Sequence, residues 1–259
     1  MKYFIVADVH GFFTELKEAL DAAGFNPADP NHVFVSLGDL LDRGRQPKEC
    51  LDYVLSLPED RRIFIRGNHE DLMEAAIIRV GFYPNDKSNG TIQTTQDIVG
   101  AGTYHDNLIG MRFYKPYNDY IRETRDFYET QNYIFVHGWI PHFCYAKGFN
   151  CDYHIHDYDE NWREADIEDW CEARWHNGME SWADGVREPG KTICCGHFHT
   201  SWGHCYIHGD QPEWPRKCDP EEKVREWNPP FIDKGIIALD TCTVLTHKVN
   251  CVVVEDEPI

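Results

Sequence analysis

Five short stretches of this chain hold residues whose types and spacing could do chemistry: ADVHG (7–11), GDLLDRG (38–44), GNHE (67–70), VHGW (136–139) and GHFHT (196–200). Between them they offer Asp8, His10, Asp39, Asn68, His137, His197 and His199. A carboxylate is costly to bury alone, so a recurring set of carboxylate, imidazole and amide oxygen reads as a site. The set contains no thiolate, which favours Mn, Fe or Zn in a mixed oxygen and nitrogen shell over a structural zinc knot. Seven ligands are too many for one ion and suit two, with one carboxylate bridging them. Asp39 is the natural bridge. Two-metal sites hold their ions ~3.5–4 Å apart and drive in-line displacement at phosphorus. A lone histidine in a glycine turn, such as His137, is more often a packed core residue; seven such groups together point to ligands.

Each stretch directly follows an apolar, strand-like run, which is what would bring them together. Strands are expected at Tyr3 to Ala7, Val33 to Leu37, Ile63 to Ile65, Tyr133 to Val136, Thr192 to Cys195, Ile236 to Leu239 and Val249 to Val254. Helices are expected over TELKEALDAAG, with Gly24 as its stop, over Pro47 to Leu57 and over Glu70 to Val80. Strand and helix alternate in the first third, which favours a parallel sheet covered by helices. The carboxyl ends of such strands share one rim, where ligands bind. The middle is less regular, with weak helical signals near 91 to 99 and 117 to 127. Residues 152 to 172 are strongly acidic, and 201 to 232 read as a long Trp- and Pro-rich loop.

The totals fit a folded protein: 259 residues, 42% hydrophobic and 27% charged, enough for one large domain. The formal net charge of -19 repels polyanions, so no nucleic-acid partner is expected. An anionic substrate would need a local reversal of that field, for which bound divalent cations are the obvious source. The ten cysteines form no C-x-x-C pair. No signal peptide or membrane span is visible, so a cytoplasmic protein with mostly free thiols is expected, with no membrane partner.

The five stretches, in this order, resemble the calcineurin-like metallophosphoesterases. GDLLDRG and IRGNHE look most like the phosphoprotein-phosphatase branch, which includes bacterial and phage serine/threonine phosphatases and the diadenosine tetraphosphatases. A weaker likeness continues into IIALDT (236–241). The resemblance implies a four-layer α/β sandwich, two packed mixed sheets flanked by helices. It would form one domain over 1–259, with insertions near 81–130, 150–185 and 201–232. It also implies roles by position. Asp8 and His10 would bind a first metal and Asp39 would bridge. Asn68, His137 and His197 would complete the second, and His199 would add a ligand to the first. The cofactors would be two divalent ions, Mn before Fe or Zn. Protein phosphatases of this type commonly lack the second histidine of GHFHT, and VHGWIP replaces the usual VHGG.

The expected mechanism is attack on phosphorus by a water that two cations have deprotonated. Arg43 and Asn68 would hold phosphoryl oxygens. Neighbouring side chains point apart, so His69 cannot easily ligate if Asn68 does. It is read as the acid that protonates the leaving oxygen, with Asp42 holding it as imidazolium. By resemblance a second phosphate-binding arginine is expected, and Arg174 in CEARWHNGMESW is the choice. Glu70 and Arg66 are read as structural. His154, His156 and the carboxylates at 157 to 172 are read as a solvated flap before a further metal site. The tryptophans at 162, 170, 175, 182 and 202 fit core packing as well as a stacking surface. The expected activity is hydrolysis of phosphomonoesters, as in phosphoproteins. A diadenosine tetraphosphatase-like pyrophosphohydrolase is the alternative, acting on a small nucleotide substrate. A non-catalytic scaffold on the same fold is a third reading, which the full set of ligands and His69 disfavours.

Overall fold

The computed structural model of the chain describes residues 1–100, 102–146, 154–207 and 221–259. Two five-stranded mixed sheets form its centre. The first contains β1 (Lys2–Val6), β2 (His32–Ser36), β3 (Arg62–Ile65) and β4 (Thr124–Arg125), all parallel, with β12 (Cys251–Glu255) antiparallel beside β1. The second runs in the order β10-β11-β9-β6-β5: Phe231–Asp233, Ile236–Ala238, Thr192–Cys195, Tyr133–Phe135 and Tyr128–Glu129. Its inner three strands are parallel. A hairpin of β7 (His142–Ala146) and β8 (His154–Tyr158) stands apart.

The alternation of side chains along the strands sorts the core into layers. Ile5, Val35, Ile65, Phe135, Cys194 and Ile237 share one buried cluster, so these faces of the two sheets meet. The opposite face of the first sheet, with Phe4, Phe34 and Phe64, buries Leu16 and Leu20 of α1 (Phe13–Ala23), Leu51 and Val54 of α2 (Pro47–Ser56) and Met73 of α3 (Asn68–Arg79). The outer face of the second, with Ile134, Ile193 and Ile236, receives helices further along the chain. Helix, sheet, sheet, helix is the four-layer arrangement expected. Gly24 does end α1, in the left-handed conformation at φ 79.

The less regular segments carry more structure than their patterns announce. Residues 81 to 130 hold α4 (Pro84–Ser88), α5 (Thr91–Val99), α6 (Tyr104–Phe113) and α7 (Lys115–Glu123). Ile98, Leu108, Met111 and Tyr120 sink from them into the core beside α1 and α2. Burial against the core fixes these helices. The acidic stretch contributes α8 (Ile167–Ala173), capped by the Asp166 side chain, and α9 (Gly178–Ala183) follows it. Trp162, Trp170 and Trp182 are core residues there. The expected loop at 201 to 232 contains a helix at Glu221–Glu226 and the strand β10. Residues 208–220 of that stretch, and the His154 side chain, lie outside the described residues. No helix among the described residues is long and apolar enough to cross a membrane. Eight described cysteines are free thiols.

Candidate metal centre and acid pair

The carboxyl ends of the parallel strands open on one rim. Asp8 and His10 follow β1, Asp39 follows β2, and Asn68 and His69 open α3 just after β3. His137 follows β6, His197 and His199 follow β9, and Asp240 follows β11. Five residues on this rim are strained: Asp8, His10, Asp39, Arg43 and His197 all have φ between 50° and 78°. Non-glycine residues rarely adopt that region, and they persist there only where the surroundings over-determine them. Small residues make the approach possible. A Cβ on Gly67 would overlap an Asp39 oxygen, and one on Gly196 would overlap an Asp8 oxygen.

Asp39 is the hub. It is 2% exposed and belongs to two groups of potential ligand atoms, one with His10 and His69 and the other with His137 and His197. Its Oδ1 accepts the His69 backbone N–H at 3.0 Å and lies 3.5 Å from His137 Nε2. Its Oδ2 lies 3.8 Å from His10 Nε2. Burial opposes its ionisation, yet the surrounding imidazoles of His137, His69, His10 and His197 hold it well below the ordinary carboxylate range.

The donor set fits cations. His137 gives its Nδ1 proton to the Leu37 carbonyl at 2.7 Å, which turns Nε2 toward the site. Nε2 lies 2.8 Å from the Asn68 oxygen, and His197 Nδ1 lies 3.1 Å from the same oxygen. Burial, then His137, pulls His197 down to about 3. Burial and Arg43 likewise lower His10, whose Nδ1 has no hydrogen-bond partner. Neutral imidazoles turned toward carboxylate and amide oxygens are what a dinuclear oxygen and nitrogen site presents.

Asp8 and His199 stand outside both tight groups. Asp8 accepts the His197 backbone N–H at 2.9 Å. Burial, Asp240 and Asp39 push its carboxyl well above the usual range. His199 lies 3.8 Å from Asp240 and is one-third exposed. Asp240, 3% exposed, was not among the residues expected at the site. The IIALDT stretch was its only signal.

Asp42 and His69 form a pair beside the hub. Asp42 Oδ2 is 2.9 Å from His69 Nδ1, and Arg43 Nη2 is 3.0 Å from His69 Nε2. Burial works against protonating His69, but Asp39 and Asp42 outweigh it and its pKa is raised. Asp42 and His69 are buried while Arg43 is exposed, so the guanidinium faces solvent with the pair beneath it. Glu70 binds the turn that carries Asp39. Its Oε2 accepts the N–H groups of Asp39 and Gly67 at 2.9 and 2.8 Å, and its Oε1 accepts that of Leu40 at 3.1 Å. Arg66 pairs with Asp71 at 2.6 Å and with Glu74.

Arg174, the expected second phosphate-binding arginine, lies in a different setting. Its guanidinium is only 4% exposed and is bound by Asp71 at 2.7 Å and by Asp126. Two carboxylates occupy both Nη groups, while its Nε is buried without a hydrogen-bond partner. The neighbouring Trp175 is the exposed one, at 52%, with its ring edge-on to His197 at 5.7 Å. Trp139, the departure in VHGWIP, is a core residue whose indole N–H reaches the Val186 carbonyl at 3.1 Å. His156 meets His142 at 2.7 Å on the hairpin. Among the described residues, though, only the two groups on Asp39 gather three or more potential ligand side chains this closely.

Several known structures are similar to this chain. One assigned as a diadenosine tetraphosphatase superposes with a TM-score of 0.51 at 15% identity, covering 97% of this chain and 88% of that one. A cold-active protein-tyrosine phosphatase of a Shewanella species gives 0.49 at 15% identity, over 98% and 75%. A serine/threonine phosphatase from Saccharomyces cerevisiae gives 0.42 at 15%, over 76% and 61%. At such identities the likeness concerns the fold. The sequence profile of the calcineurin-like phosphoesterases matches residues 1–201, and the chain is a member of that family.

Proposed function

We propose that the protein is a metal-dependent phosphomonoesterase of the serine/threonine phosphatase kind, one domain whose insertions surround a dinuclear centre. The observation that carries this is the pairing of two ligand groups on Asp39 with the Asp42–His69–Arg43 cluster beside them. His10, Asp39, Asn68, His137 and His197 would hold two divalent cations, with Asp8 and His199 at the edge of the set. When bound, the cations would supply Lewis acidity toward the phosphoryl oxygens and make a water nucleophilic near neutral pH. The remaining work belongs to the chain. Arg43, exposed above the pair, grips the phosphoryl group with its planar fork. Its present bond to His69 Nε2 is then released to the substrate. His69, kept protonated by Asp42, gives its proton to the leaving oxygen. The net charge of -19 makes this local gathering of positive charge necessary for any anionic substrate.

Trp175 favours a second reading. An exposed indole against His197 offers a flat surface on which a nucleobase can stack. That suits a diadenosine tetraphosphatase-like substrate. One chromatographic experiment separates the two: purified protein with Mn²⁺, offered a phosphothreonine peptide and diadenosine tetraphosphate together. Release of phosphate from the peptide supports the phosphatase. Appearance of ADP, with a higher KM in Trp175→Ala, supports the pyrophosphohydrolase. No product from either, with metals bound, removes both and favours a scaffold.

A further inference from the structure

Asp42 has to hold His69, but something must hold Asp42. Its side chain makes two hydrogen bonds among the described residues, and both fall on Oδ2. One comes from His69 Nδ1 at 2.9 Å and the other from Thr91 Oγ1 at 2.8 Å. Asp42 Oδ1 is buried without a hydrogen-bond partner. Without Thr91 the carboxylate would be tied only to the imidazole it is meant to orient. A carboxylate turns easily about its last torsion. A hydroxyl with one proton, given to one oxygen, removes that freedom.

Thr91 is itself well fixed. It is 0% exposed and opens α5, in the segment between the third and fourth strands. The preceding Gly90, at φ +83, lies so close to the backbone of Arg43 that any Cβ would collide with it. Ile98 at the far end of α5 is sunk in the core with Leu51 and Val54 of α2. A rigid helix therefore delivers a hydroxyl to the acid pair while its entry turn presses on the phosphate-gripping arginine.

We infer that Thr91 is a positioning residue for the Asp42–His69 pair, and that the 81–130 insertion sets the geometry of proton delivery. This rests on reading His69 as the acid. The test uses Mn²⁺-loaded Thr91→Val, Thr91→Ser and His69→Asn, with phenyl phosphate as a poor leaving group and p-nitrophenyl phosphate as a good one. Positioned acids contribute ~10²–10⁴-fold. Partial misalignment in Thr91→Val is expected to cost about tenfold in kcat on phenyl phosphate, under about threefold on p-nitrophenyl phosphate, and little in KM. Thr91→Ser, which keeps the hydroxyl, restores the loss. Thr91→Ala replaces valine if the latter lowers the melting temperature sharply.

An equal loss on both esters, or a loss that serine does not rescue, makes Thr91 merely structural and overturns the inference. So does an unchanged valine variant while His69→Asn still discriminates between the esters. If His69→Asn itself fails to discriminate, the acid reading falls first and the inference with it.

Discussion

His69 sits between opposite charges, with Asp42 on Nδ1 and Arg43 on Nε2. Nε2, 3.9 Å from Asp39, accepts from Arg43 in this arrangement, so it takes up the acid proton only once Arg43 has turned to the substrate. His69→Asn is expected to keep its metals and to lose ~10²–10⁴-fold on substrates with poor leaving groups. The pH profile adds an independent check. A raised pKa means the acid form survives above the pH where a free imidazole loses it. Wild-type kcat should fall as pH climbs through the pKa that His69 has with cations bound, which offset part of the Asp39 contribution, and His69→Asn should lack that basic limb. A variant with the same limb would show that another group titrates. Arg43→Ala should weaken inhibition by inorganic phosphate roughly 10- to 100-fold, the weight of a hydrogen bond to a charged group, with metal content unchanged. These residue types were legible in the sequence because the chemistry demands them in glycine-bounded turns. Thr91 was not, since a threonine 49 positions from its carboxylate leaves no local trace.

At the scale of elements, α3 shows how a short motif becomes a device. The helix was expected to start at Glu70 and instead starts at Asn68, because Glu70 reaches back to the Gly67 N–H while also holding Asp39 and Leu40. Helix start, Asp39 turn and the candidate ligand Asn68 are thus one unit. Glu70→Gln would turn an amide NH₂ toward backbone donors, and about 1–3 kcal/mol of stability should go in denaturant titrations. Tyr120→Phe removes one neutral donor to Glu70, at 3.1 Å, and should cost about 1 kcal/mol. Arg174 belongs to the same scale. It ties α3 through Asp71 to Asp126 beyond α7, with Arg66 on the other oxygen of Asp71. Arg174→Ala should destabilise by about 3 kcal/mol, the low end for a broken buried pair because both acidic partners are partly exposed. Inhibition by inorganic phosphate should not change. A weakened inhibition with normal stability would return Arg174 to the phosphate site.

The whole molecule explains why the site needs two sheets. β1, β2 and β3 deliver Asp8, His10, Asp39 and Asn68 from one sheet, and β6 and β9 deliver His137, His197 and His199 from the other. The inter-sheet core of Ile5, Val35, Phe135 and Ile237 fixes their spacing. Apolar runs and strand-end motifs made this frame readable. The insertions were readable only in part: α5 and α7 left weak signals near 91 to 99 and 117 to 127, while α4, α6 and the hairpin left none. The frame also crowds Asp8, Asp39 and Asp240 together at low exposure, 1%, 2% and 3%. Like charges so buried oppose folding unless cations offset them. Divalent metal should therefore act as a folding ligand. At free Mn²⁺ about 100 times its Kd, linkage gives ~2.7 kcal/mol, or about 5–10 °C in melting temperature for a chain of this size. A strong chelator should remove that increment from wild type. Asp39→Asn, which breaks the bridge, should melt at the same temperature with and without Mn²⁺. An increment that survives in Asp39→Asn would mean that the cations bind without their bridge. No increment in wild type would mean that these donors hold no cation tightly.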